Sequence, residues 1–236
     1  TVASTNTLWH CHWGCRWHCT FESDYCTNVE TNCLFYENYS GGYAGAVNHY
    51  YGSTTSFNCT FSDNTATNYY AGALRCNHGT HTYTNCIFYG NNGSGSYDDL
   101  YEGSGSITLN YCICPCVSTS GVSETNDVGS SNPLFTNASN DDYTLQAGSP
   151  ALDAGTATGA PSTDLAGSSR PSGGGYDLGA YEFDAGPTCS GSWTSGDGAF
   201  TACTNNASSI EQYTINASSL TGDLTATAPT GFEICL

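Results

Sequence analysis

Lysine and methionine are absent from this 236-residue chain, and arginine occurs three times against 21 acidic residues. The formal net charge is -18. A chain so poor in positive charge offers no basic patch for phosphate, which excludes nucleic acid as an expected partner. It argues equally against anionic membrane surfaces. Helical repeats rich in Leu, Glu, Lys and Ala are excluded on composition. No apolar run approaches the roughly 18 residues of a membrane-spanning helix. Neither a signal peptide nor an initiating Met is present, so the chain reads as mature, exported and not membrane-spanning, with any anchor outside it. No C-x-x-C-H haem motif, EF-hand loop or G-G-x-G-x-D repeat occurs.

What is present is a repeat. Thr31-Asn32-Cys33-Leu34-Phe35, Phe57-Asn58-Cys59-Thr60-Phe61, Thr84-Asn85-Cys86-Ile87-Phe88 and Asn110-Tyr111-Cys112-Ile113-Cys114 follow one another at 26 or 27 residues. The first three continue as F-x-x-N, ending on Asn38, Asn64 and Asn91. Ala44-Gly45-Ala46-Val47 and Ala71-Gly72-Ala73-Leu74 repeat 27 apart. A fixed period of this size implies stacked units that cannot bury their apolar faces alone. Cys33 and Phe35 alternate with Asn32 and Leu34, a strand period. Short strands with Gly/Asn/Ser turns predict coils of a parallel β-helix, stacked at roughly 4.8 Å. Cys33, Cys59, Cys86 and Cys112 would then form one internal ladder and the Phe residues another, with Asn at turns.

The F-x-x-N and G-A-[VL] segments resemble the repeats of polymorphic outer-membrane-protein autotransporter passengers. Farther on come Asn132-Pro133-Leu134-Phe135, Asp142-Tyr143-Thr144-Leu145, Gly148-Ser149-Pro150-Ala151-Leu152-Asp153-Ala154-Gly155, Thr163-Asp164-Leu165-Ala166-Gly167-Ser168-Ser169-Arg170-Pro171 and Tyr176-Asp177-Leu178-Gly179-Ala180-Tyr181-Glu182. In that order they resemble the closing part of the choice-of-anchor Q β-helix family of secreted Bacteroidetes-type surface proteins. The resemblance implies an all-β chain, a right-handed parallel β-helix of a few coils, and export to a bacterial cell surface or the extracellular space. It implies no single enzymatic activity. Within the closing segment Arg170 is expected to pair with Asp177 or Glu182, because a guanidinium fork suits a carboxylate.

Three regions are expected. Residues 1–26 form a Cys/His/Trp-rich cap over a helix end that would otherwise expose strand edges. Residues 27–186 hold the β-helix, with a polar loop from Gly90 to Tyr97, a Ser/Thr/Gly-rich excursion over 118–131 and the closing segment. Residues 187–236 resemble the N-terminal half of an immunoglobulin-like sandwich. A full sandwich takes about 100 residues. Half of one leaves an open edge at Phe232-Glu233-Ile234-Cys235-Leu236, to be completed by more chain or by a neighbouring subunit. Stackable ends favour head-to-tail filaments.

Fourteen cysteines in an exported chain suggest disulfides. Cys11, Cys15, Cys19, Cys26, Cys76, Cys114, Cys116, Cys189, Cys203 and Cys235 are the candidates, whereas the ladder is read as free buried thiols. His10, Cys11, His12, Cys15, His18 and Cys19 offer zinc or copper ligands, but their C-x3-C spacing is not a usual zinc pattern. Asp98, Asp99, Asp141, Asp142 and Asp153 are candidate calcium ligands. The expectation is no cofactor. Polysaccharide lyase or hydrolase chemistry finds little support, since Arg16, Arg75 and Arg170 are the only candidate strong bases and no carboxylate pair recurs on one strand face. The sequence therefore points to a non-enzymatic, self-associating extracellular structural protein, with an adhesin or glycan-binding module as the alternative. The 17 tyrosines, Tyr50-Tyr51 and Tyr69-Tyr70 among them, suit either stacked faces or carbohydrate contact.

Overall fold

The computed structural model describes residues 12–13, 21–23, 26–68, 71–94, 98–115 and 121–184. The chain divides into two units, Thr1–Asp184 and Ala185–Leu236. The expected cap side chains, the half-sandwich and the terminal strand 232–236 lie outside the described residues.

The first unit is a parallel β-solenoid of about three turns with almost no helix. Its strands enter in chain order: β1 (His12–Trp13), β2 (Phe21–Ser23), β3 (Cys26–Thr31), β4 (Leu34–Tyr36), β5 (Tyr39–Ser40), β6 (Val47–His49), β7 (Gly52–Phe57), β8 (Thr60–Ser62) and β9 (Thr65–Ala66). Then come β10 (Leu74–Cys76), β11 (Thr80–Thr84), β12 (Ile87–Tyr89), β13 (Leu100–Glu102), β14 (Ser106–Asn110), β15 (Val122–Thr125), β16 (Phe135–Asn137) and β17 (Asp142–Leu145). Sheet A runs β3-β7-β11-β14-β15, sheet B β1-β4-β8-β12, and sheet C β2-β6-β10-β13, all parallel; β5 and β9 pair at a corner. Along sheet A, Thr27, Ser53, Thr80 and Ser106 stand in one register row, reproducing the 26- and 27-residue period.

The repeated residues explain the coil. Asn32, Asn58, Asn85 and Tyr111 sit at left-handed corners with φ between 51 and 56°. That conformation is the one Asn tolerates best among non-glycine residues, which is why Asn precedes three of the four ladder cysteines. Glu37, Asp63 and Gly90 make the second such corner. Between the corners runs a three-residue sheet B strand with Phe35, Phe61 or Phe88 turned inward. Their rings stack at 4.8 Å with interplanar angles of 5 and 6°. Glycine in the A-G-A repeats answers a different need. A Cβ on Gly45 would lie 2.0 Å from the Gly72 carbonyl oxygen of the next coil.

Two expectations are corrected. The stretch 118–131 is not simply an excursion, because Val122–Thr125 forms β15 and pairs with β14. Its coil is short: Ile107 pairs with Val122, 15 residues on. The Gly90–Tyr97 loop likewise begins in the core, since Asn91 is buried.

The closing segment lies along the side of the coils. Its antiparallel pair β16–β17 and following turns cover the outer face of sheet B, where Leu34, Ile87 and Ile113 pack against Tyr143, Leu145, Ala151, Leu178 and Ala180. Asn58 donates to the Asp177 carbonyl, Asn85 to that of Thr156 and Asn32 to that of Thr163. Gly179, at φ 85°, is needed there: a Cβ would meet Thr60 Oγ1 at 2.6 Å. No helix among the described residues is long and apolar enough to cross a membrane.

Candidate functional site

The interior of the coils holds the ladder cysteines. Cys33, Cys59, Cys86 and Cys112 are buried thiols, and each donates to the carbonyl two residues back at 3.4–3.5 Å. Burial pushes the Cys59 and Cys86 thiols well up, so they are poor nucleophiles. Cys76, a disulfide candidate on sequence, is also a free buried thiol; sheet C holds it facing the Tyr83 hydroxyl. Cys114 is disulfide-bonded.

Beside them lies a polar cluster that the repeats did not announce. Ser56 Oγ donates to Glu30 Oε2 at 2.7 Å, and Glu30 Oε1 lies 3.7 Å from His49 Nε2. Thr54 Oγ1 is within 3.4 Å of the His49 ring, which stacks on His81 with centroids 5.2 Å apart. Ser, Glu and His together invite comparison with a hydrolytic triad, but the geometry is wrong for one. The serine donates to the carboxylate rather than to the imidazole, and all three are buried. Burial raises the Glu30 carboxyl to about 7, against the Ser56 hydrogen bond, and lowers His49 to about 3, helped by His81. Neither is poised to activate a nucleophile in contact with substrate.

Three columns of the solenoid end in carboxylates. Asn38, Asn64 and Asn91 form a buried amide ladder: Asn38 Nδ2 donates to Asn64 Oδ1 at 2.8 Å and Asn64 Nδ2 to Asn91 Oδ1 at 2.9 Å. Asn91 Nδ2 then donates to Asp99 Oδ1 at 2.8 Å. At the end of the cysteine column, Asp127 Oδ1 accepts from the Cys112 amide at 2.8 Å. Burial raises both Asp99 and Asp127 to about 6. Glu124 pairs in register with Leu109 and so heads the column Glu30–Ser56–Tyr83–Leu109, but it is exposed. Among the described residues no strand follows β15, which is last in its sheet. These column ends were legible only once the short last coil was known.

In the closing segment Arg170 Nη1 pairs with Glu182 Oε2, both side chains fully buried. Arg170 also donates to the carbonyls of Gly179 and Asp177. The Asp177 carboxylate takes a different role, accepting from the amides of Asp153 and Phe183 at 2.7 and 2.6 Å. Asp164 accepts from the Ser168 and Glu182 amides, and Asp153 from that of Gly175. Asp142 closes a turn onto Thr144, and Asp141 occupies a left-handed corner. The candidate calcium ligands are thus spread over separate turns. Among the described residues no three His, Cys, Asp or Glu side chains gather as a metal site.

The outer face of sheet C carries exposed aromatics. Asn48, Arg75 and Tyr101 share one register row. Tyr43 and Tyr50 flank Arg75, and Tyr51 stacks on His78. The tyrosines and Arg75 were visible in the sequence; the place of the arginine beneath the rings was not.

Of the remaining candidates, His10, Cys11, Cys15, His18, Cys19, Cys116, Cys189, Cys203 and Cys235 lie outside the described residues, while only the backbone of His12 and Cys26 is described. Comparison of the chain with protein families, curated proteins and solved structures finds no match.

Proposed function

We propose that this chain is an extracellular structural protein that self-associates at a bacterial cell surface or in matrix. The resemblance of its repeats and closing segment to secreted surface β-helices supports that placement. The observation that carries self-association is the open edge of β15. Each coil is held mainly by ladders running to the next, and among the described residues β15 is bonded on one side only. Unpaired edge amides and carbonyls template a further strand. The Gly121 and Thr125 carbonyls accept from the Ile107 and Tyr111 amides on the β14 side. By alternation along the strand, the amide of Glu124 faces the open side. Glu124 also restrains association, because an inward-column carboxylate is costly to cover. Strand exchange through 232–236 is the competing route, and it would leave Glu124→Pro able to associate.

Sedimentation velocity over a concentration series tests this. Wild type forms concentration-dependent oligomers, Glu124→Gln forms them at lower concentration, and Glu124→Pro stays monomeric. A wild-type monomer at all concentrations, with Glu124→Gln unchanged, overturns edge stacking. The alternative, an adhesin or glycan-binding module, draws on the exposed tyrosines of sheet C.

A further inference from the structure

Tyr43 and Tyr50 are 44% and 39% exposed, among the most exposed large hydrophobic side chains described. Neither is a stray surface residue. The Arg75 guanidinium lies 4.6 Å from the Tyr43 ring centroid and 5.6 Å from that of Tyr50. Arg75 is only 6% exposed, and its Nη1 donates to Asn48 Oδ1 at 2.9 Å. One buried cation thus holds two exposed rings, which positions them without a ligand. The array continues sideways. Tyr50 meets Tyr51 edge-on at 4.8 Å, and Tyr51 stacks on His78 at 4.3 Å and 15°. His78 in turn faces Tyr50 edge-on at 6.1 Å.

Such a shelf offers flat apolar ring faces rimmed by hydroxyls and an imidazole. That pattern suits a ligand with an apolar face and a polar edge, which is the character of a pyranose ring. Charge decides the kind of sugar. The protein carries a net charge of -18, and the arginine at the shelf is already engaged by Asn48 and two rings. A polyanionic glycan would be repelled by that net charge.

We propose that the outer face of sheet C binds a neutral polysaccharide, with Tyr43 and Tyr50 as the stacking platforms and Arg75 as their positioning residue. This does not rest on edge stacking: it deepens the glycan-binding alternative and uses the side of the coils rather than their end. Preorganised rings limit the ordering cost of binding.

Native affinity electrophoresis of the full chain tests the proposal, in gels containing hydroxyethyl cellulose, mixed-linkage β-glucan or galactomannan, with polygalacturonate as the anionic comparator. Retardation is expected in at least one neutral gel and not in polygalacturonate. Tyr43→Ala with Tyr50→Ala should weaken binding by about tenfold or more, since both ring platforms are lost. Tyr43→Phe with Tyr50→Phe keeps the ring faces and should retain most of the retardation. Tyr39→Ala, an exposed tyrosine elsewhere, should change nothing. The proposal is overturned by no retardation in any neutral gel, by retardation in polygalacturonate alone, or by a Tyr43→Ala/Tyr50→Ala variant that binds as wild type. Sedimentation of that variant should match wild type, which separates loss of this surface from loss of self-association.

Discussion

The coils and the closing segment solve the same problem, burying an apolar face, by opposite means. In the coils each stabilising contact is repeated: Phe35 on Phe61 on Phe88, Asn38 to Asn64 to Asn91. In the segment beside them nothing repeats, and one buried arginine gathers a carboxylate and two carbonyls. Distributed ladders couple neighbouring coils and make stability close to a sum of nearest-neighbour terms. A single buried ion pair concentrates the dependence, since removing one partner strands the other charge.

That contrast can be broken first at Arg170. Arg170→Ala should cost up to about 5 kcal/mol, because Glu182 is left buried without its partner. Limited proteolysis should then cut within 132–184 while the coils persist. Cleavage throughout the chain would mean that the two regions unfold as one. Phe61→Ala should act on the coils instead. Its ring is stacked on both sides, and the loss is expected near 4 kcal/mol, read as a lower denaturation midpoint of the coils.

Smaller effects sharpen the picture of the ladders. Asn64→Ala leaves the Asn38 amide and side chain without their acceptor and should cost about 2 kcal/mol in chemical denaturation. Asp127→Asn should give the smallest change, visible mainly in pH dependence. The Asp127 pKa is raised in the folded protein to about 6, so the folded state holds its proton more tightly than the unfolded chain. Its contribution is therefore fully present below about pH 4 and is lost as pH rises to 6. Because Asp127 is only partly buried, screening reduces the difference to about 1 kcal/mol. The stability difference between variant and wild type should follow that window and be flat above pH 7.

Much of the coil was legible in the sequence because its causes are local and repeated. Asn32, Asn58 and Asn85 mark a left-handed corner that favours their residue type, and the alternation of Cys and Phe marks the inward face. The last coil was not legible. Ser, Thr and Gly dominate it, and a spacing of 15 breaks the period, which hid both β15 and the Asp127 end of the cysteine column. The lateral course of the closing segment was hidden for another reason. Its anchors, such as Asn85 with Thr156 and Asn32 with Thr163, join residues 71 and 131 apart with no local signal at either end. Arg170 could be paired with an acid on motif alone, but the choice of Glu182 over Asp177 depended on where their backbones turn. Arg75 and its rings belong to the same class: Tyr43 and Arg75 meet only because two coils stack.

The proposal that these ladders extend from one molecule to the next is tested most directly by electron microscopy of the native protein across a concentration series at pH 7 and pH 5. The account predicts linear, end-to-end assemblies, more abundant at pH 5 where Asp99 and Asp127 take up protons, and missing from Glu124→Pro. Single particles alone at every concentration and both pH values would contradict it.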